Sequence, residues 1–102
     1  MAYIIVSTTF DKKKDAENAA KKIIKMKLGA CVQLTEAESF YRWNDKTQKA
    51  HEYRVSIKTL AKNYKKIENL LNINHPYSLP EIIATKIKKG SRKYLNWVKE
   101  NC

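Results

Sequence analysis

His75-Pro76-Tyr77-Ser78-Leu79-Pro80-Glu81 contains both prolines of the chain. Each proline removes a backbone donor and pushes the residue before it, His75 or Leu79, toward extended conformations. A helical pattern therefore stops at His75, and a stiff connector leads into the apolar run Ile82-Ile83-Ala84. The connector carries an imidazole, a phenol and a carboxylate. It reads either as a rigid helix-to-strand crossover with its polar side chains in water, or as a binding or metal site, since His beside a carboxylate is a common ligand pairing. Local spacing leaves both readings open.

Working outward, a helix precedes the connector, with Leu60, Tyr64, Ile67 and Leu71 on one stripe. The connector is followed by a strand over Ile82 to Ile87. Gly90 then turns the chain, Ser91 can cap, and Tyr94, Leu95 and Val98 form the apolar side of a short terminal helix. At the other end, Tyr3 to Thr9 is rich in β-branched and aromatic residues and reads as a buried strand. Asp11 is placed to N-cap a helix whose apolar positions are Ala16, Ala19, Ala20, Ile23 and Ile24, with Gly29 as terminator.

Between these lie two strand segments, Ala30 to Leu34 and Ser39 to Trp43, with a bend or bulge expected at Thr35-Glu36-Ala37-Glu38. Asn44 and Asp45 tolerate positive φ and suit a two-residue hairpin. The returning strand runs from about Gln48 to Lys58. The aromatic tip of this hairpin is too apolar to stand in water without a partner. The order β-α-β-β-α-β-α predicts an α+β fold, a ferredoxin-like β-α-β-β-α-β sandwich with a C-terminal helix. At 102 residues the chain reads as one domain, 1–102, large enough for a core without disulfides or structural metal.

Composition narrows the function. No apolar run approaches transmembrane length, the start lacks the features of a signal peptide, and no membrane partner is expected; a cytoplasmic protein is the default reading. Two cysteines, Cys31 and Cys102, make neither a zinc spacing nor a disulfide framework. The net charge of +11 invites a nucleic-acid reading. That reading is disfavoured, because the cations are almost all Lys and no recognition motif is present; a solvated Lys-biased surface fits better. Nucleophile elbow, P-loop, dinucleotide fingerprint and zincin helix are absent.

The candidate reactive groups are Cys31, Glu52, Lys58, His75 and Glu81, each with a plain alternative. Cys31 between Ala30 and Val32 suits a small buried hydrophobe. Glu52 and Lys58 suit solvent-facing strand positions. Tyr41 and Trp43 suit an interface that is apolar at one end and wet at the other.

Taken together, Cys31-Val32, Tyr41-Arg42-Trp43, Lys46, Glu52, Lys58-Thr59, His75-Pro76-Tyr77 with Pro80-Glu81, and Gly90 with Tyr94-Leu95 and Trp97 resemble the CutA divalent-ion tolerance proteins across essentially the whole chain. The resemblance implies a tight homotrimer of PII-like architecture, with long hairpins reaching onto neighbouring subunits and clefts between chains. Carried over by position, Cys31, Tyr41, Trp43, Glu52, Lys58, His75, Tyr77 and Glu81 would line the cleft. Any metal in it must be held locally, with His75, Cys31 and Glu81 as the expected ligands and Tyr41, Trp43, Glu52, Lys58 and Tyr77 as the ligand-binding wall.

Some members of that family carry a Cys at the end of the first strand and a second His before the His-Pro-Tyr motif, a set to which copper binding is ascribed. Here those positions are Ser7 and Asn74, poor ligands for a soft or borderline ion. The implied cofactor is accordingly a weakly held divalent metal ion, Cu or Zn, and none is obligatory. The expected function is a non-catalytic cytosolic homotrimer serving divalent metal (copper) ion tolerance. The alternative is a PII-like adaptor trimer that binds an anionic small molecule with Lys58 as counter-charge.

Overall fold

A computed structural model describes residues 1–102. Four strands, β1 (Tyr3–Phe10), β2 (Cys31–Trp43), β3 (Lys46–Leu60) and β4 (Ile83–Lys86), form one sheet, with helices α1 (Lys13–Lys25), α2 (Tyr64–Asn74) and α3 (Arg92–Glu100). The strand order is β2-β3-β1-β4 and every pairing is antiparallel, which is the ferredoxin-like arrangement expected.

The core lies between one sheet face and the first two helices. Alternation along β1 turns Ile4, Val6 and Phe10 inward, and cross-strand register sets Val55 and Ile57 beside them. Ala16 and Ile23 of α1 and Ile67 and Leu71 of α2 close the core from the helix side. Ile24, expected on the buried stripe, is 44% exposed instead.

β2 corrects one expectation. The polar patch Thr35 to Glu38 makes neither a bend nor a bulge, because the ladder runs unbroken from Cys31↔Lys58 to Trp43↔Lys46. Alternating polar residues on an edge strand are compatible with a regular ladder, since one face remains open to solvent. Asn44 and Asp45 form the expected two-residue turn, with φ of 53° and 60°. The hairpin extends well past the core, giving a molecule 45 Å long and 25 by 21 Å across.

The ends of α1 also differ from expectation. Asp11 does not cap; the helix starts after Lys12, with no side-chain cap. Gly29 does not supply the left-handed residue. Lys27 does, at φ 56°, with Lys27 N–H donating to the Ile24 carbonyl and Leu28 N–H to that of Ile23. This is a Schellman termination carried by a lysine. Gly29 serves packing: a Cβ there would stand 2.6 Å from an Ile57 methyl and 2.9 Å from one of Ile23. Ser91 caps α3 as expected, its hydroxyl accepting from Tyr94 N–H at 3.2 Å.

Candidate functional site

α2 ends at Asn74, and His75 is already extended at φ −80°, ψ 134°, as the following proline dictates. The connector then wraps round the end of β1. On the core side the His75 ring stacks on Phe10, with centroids 4.2 Å apart and planes 10° from parallel. On the opposite face, Tyr77 hydroxyl donates to a Glu52 carboxylate oxygen at 2.8 Å. His75 and Tyr77 therefore clasp both faces of the sheet at one point.

The hydrogen bonds settle the tautomer of His75. Tyr77 N–H can only donate, and it points at Nδ1 at 3.1 Å; the Thr9 carbonyl can only accept, and it lies 2.8 Å from Nε2. The ring is thus neutral, with its proton on Nε2 and both nitrogens engaged. Burial lowers its pKa from the usual imidazole range, against the Thr9 carbonyl, Asp15, Asp11 and Glu52, which all act to raise it.

Glu52, which reads as a solvent-facing strand residue, is only 7% exposed. Burial alone would raise its pKa, but hydroxyl hydrogen bonds from Ser39, Tyr77 and Thr9, with His75 nearby, bring it below the ordinary carboxylate range. The Tyr77 phenol is shifted strongly upward, by burial first and then by the Glu52 carboxylate it serves. Ser39 and Thr9 are the partners that sequence reasoning missed. The hairpin turn could have revealed Ser39, since pairing Trp43 with Lys46 sets Ala37 opposite Glu52 and Ser39 diagonal to it.

The other expected site residues lie apart from this clasp. Cys31 is half-buried opposite Lys58 at the far end of the β2–β3 ladder. The Lys58 ammonium donates to Gln33 Oε1 at 2.8 Å and sits 5.8 Å from the centre of the Tyr94 ring. Tyr41 and Trp43 stand exposed at the hairpin tip, and Glu81 is exposed just before β4. No three His, Cys, Asp or Glu side chains are gathered in metal-holding geometry. His75, Cys31 and Glu81 are therefore not assembled as a ligand set by a single chain, and His75 could ligate only by releasing Thr9 or Tyr77.

The clasp sits on a ferredoxin-like α+β fold with an overlong hairpin. The profile of the CutA1 divalent ion tolerance protein family matches residues 4–101, and the chain belongs to that family. It is 33% identical over 98 residues to the divalent-cation tolerance protein CutA of Thermus thermophilus, covering 95% of each chain. The crystal structure of CutA1 from Oryza sativa superposes with a TM-score of 0.95 at 36% identity, over 99% of this chain and 94% of that one. A structure described as the periplasmic divalent cation tolerance protein CutA from Archaeoglobus fulgidus gives a TM-score of 0.94 at 28% identity, over 97% of both chains. No helix of this chain is long and apolar enough to cross a membrane.

Proposed function

We propose that the chain is the subunit of a non-catalytic cytosolic homotrimer acting in divalent metal ion tolerance, copper included, and that it takes up cations or small ligands in clefts between subunits. The observation that carries this reading is the hairpin tip. Phe40, Tyr41 and Trp43 are 66%, 47% and 45% exposed in the lone subunit. Both sheet edges, β2 and β4, are also unpaired within the chain. An aromatic tip and open edges are covered together when each hairpin lies on a neighbour.

Tyr41, Trp43, Glu52, Lys58 and Tyr77 line the cleft in this reading, and closure brings Cys31 and Glu81 of different chains toward His75. A subunit of net charge +11 repels free divalent cations at long range. Metal must then be held locally by such donors, and weakly. Zinc is the other ion suited to an imidazole, thiolate and carboxylate set.

A second reading, an adaptor trimer for an anionic small molecule, draws support from Lys58. Its ammonium has an amide oxygen as partner and no carboxylate in salt-bridge range. Sedimentation velocity together with calorimetric titration of the metal-stripped protein with Cu, Zn, Ni and Mn tests the first reading. A monomer at micromolar concentration would overturn it. A thermal-shift screen with anionic metabolites, repeated on Lys58→Ala, tests the second.

A further inference from the structure

The lysines of the helix layer are gathered rather than spread. Ala16 and Ile23 turn α1 toward the core. At about 3.6 residues per turn, Lys14, Asn18, Lys21 and Lys25 then fall on the opposite side, and all of them are exposed. Lys22 stands next to this ridge, where α1 and α2 leave a groove that it lines with Leu70. Lys66, one turn before Leu70, is exposed on the same flank of α2. None of these lysines is in an ion pair; the pairs are Lys49–Glu38, His51–Glu36 and Lys65–Glu68.

Helix stability does not account for the ridge. The macrodipole favours Lys22 and Lys25 in the last turn, but it disfavours Lys12, Lys13 and Lys14 where α1 opens. Lys21 and Lys25 are four residues apart, and Lys22 and Lys25 three, spacings at which like charges repel across a turn. The face is therefore self-repelling by itself, and an anion laid along it removes that cost. The acidic neighbours are Asp15, half-buried in the groove, and Glu17, on the far flank with Ile24.

We infer that the outward face of α1, with Lys66 beside it, binds the phosphate backbone of double-stranded DNA without reading its sequence. From Lys14 to Lys25 the ridge spans about 16 Å, over which a duplex carries on the order of ten phosphate charges. Lysine ammoniums meet these as point charges, and the Asn18 amide can donate to a phosphate oxygen. Base reading is not offered, because Arg42, Arg54 and Arg92 all lie outside α1 and α2. The ridge has no aromatic side chain on which a single strand would stack. It has no apolar one to enter a bilayer either; the exposed Ile24 and Ile73 lie to its sides. The sequence disfavours nucleic acid as a specifically recognised partner, and the placement of the lysines restores it as a backbone contact. The surface is on the helix side of the sheet, away from Tyr77 and Glu52, and does not depend on the inter-subunit cleft.

The test is fluorescence anisotropy of the full chain with a labelled duplex of about 20 base pairs, in two unrelated sequences, over about 25–200 mM KCl. Both duplexes should bind alike, with dissociation constants of about 1–100 µM near physiological salt and a log–log salt slope of about −4. Lys21→Ala combined with Lys25→Ala should weaken binding at least about tenfold and make the slope shallower by about 2. Lys88→Ala combined with Lys89→Ala, beyond β4, removes the same charge and should change affinity less than about threefold. Neither pair touches the clasp or the hairpin tip, and alanine favours helix, so circular dichroism and sedimentation should match the wild type in both. Absence of binding at about 25 mM KCl, or equal losses in the two double variants, would overturn the inference. So would tighter binding to a single strand of the same length, or capture by phosphatidylserine vesicles without capture by the duplex.

Discussion

Tyr77 and Glu52, 25 residues apart, are joined by a 2.8 Å hydrogen bond from phenol to carboxylate across the end of the sheet. The bond ties the proline connector to β3 and gives a buried negative charge a hydroxyl donor. Replacing Tyr77 by Phe keeps the ring and removes only the hydroxyl. A hydrogen bond to a charged group contributes about 1.5–3 kcal/mol, so Tyr77→Phe should destabilise by an amount in that range at pH 7, measured by chemical unfolding.

Glu52 makes a related prediction in acid. Its pKa is depressed in the fold, so the folded state binds fewer protons than the unfolded chain. Its stabilisation is therefore present above the unfolded carboxylate pKa and is lost as pH falls through the folded one. Unfolding free energy should drop below about pH 4.5 in the wild type and drop less steeply in Glu52→Gln. Equal slopes would show that the hydroxyls around Glu52 do not favour its ionised form.

His75 acts in a higher window. Its pKa is also lowered in the fold, and its two hydrogen bonds require the neutral ring. Stability should be complete above the unfolded imidazole pKa of about 6.5 and fall as pH drops from there through the lower folded value. Protonation places a hydrogen on Nδ1 facing Tyr77 N–H, which breaks that bond. Thermal midpoints should decline as pH falls below about 6.5 in the wild type, and His75→Gln should flatten that decline while lowering the midpoint at pH 7.5.

How much of this was legible in the sequence depends on the range of the signal. The proline pair fixed the end of α2, and Asn44-Asp45 fixed the hairpin turn, because both act through local backbone sterics. The turn also sets the whole β2–β3 register, so the Glu38–His51 pair and the Ala37–Glu52 pair follow from it. The burial of Glu52 was not legible, since it depends on Thr9 and Tyr77 arriving from distant parts of the chain. The same holds for His75. A His-Pro-Tyr stretch suggests a ligand, and only the positions of the Thr9 carbonyl and Tyr77 amide show its nitrogens to be bound.

The hairpin tip predicts assembly. Trp43 lies at the end of β2 opposite Lys46, 45% exposed in a lone subunit, whereas Lys86 is exposed on β4. Burying one aromatic contributes on the order of 1.5–3 kcal/mol, and a trimer would bury several. Trp43→Ala should shift the sedimentation profile toward smaller species at micromolar concentration, while Lys86→Ala should leave both profile and melting temperature nearly unchanged. Equal losses in the two variants would contradict the role given to the tip.

The turn after α1 separates two reasons for using glycine. Gly29 has an ordinary backbone, and its value lies in the missing Cβ, which would press on methyl groups of Ile57 and Ile23 at 2.6 and 2.9 Å. Both isoleucines are fully buried, so neither can retreat into solvent. Gly29→Ala should therefore destabilise by about 1–3 kcal/mol, the usual cost of overpacking a core. Lys27 is the converse: a side chain occupies a left-handed position, φ 56°, that glycine adopts without steric penalty. Lys27→Gly should relieve that strain at the cost of a more flexible unfolded chain, giving a gain of at most about 1 kcal/mol. Denaturant midpoints moving in opposite directions for the two variants would confirm that packing governs Gly29 and backbone conformation governs Lys27. A stabilising Gly29→Ala would show that the β2 entry can shift away from Ile57, and that its close approach is not needed for the fold.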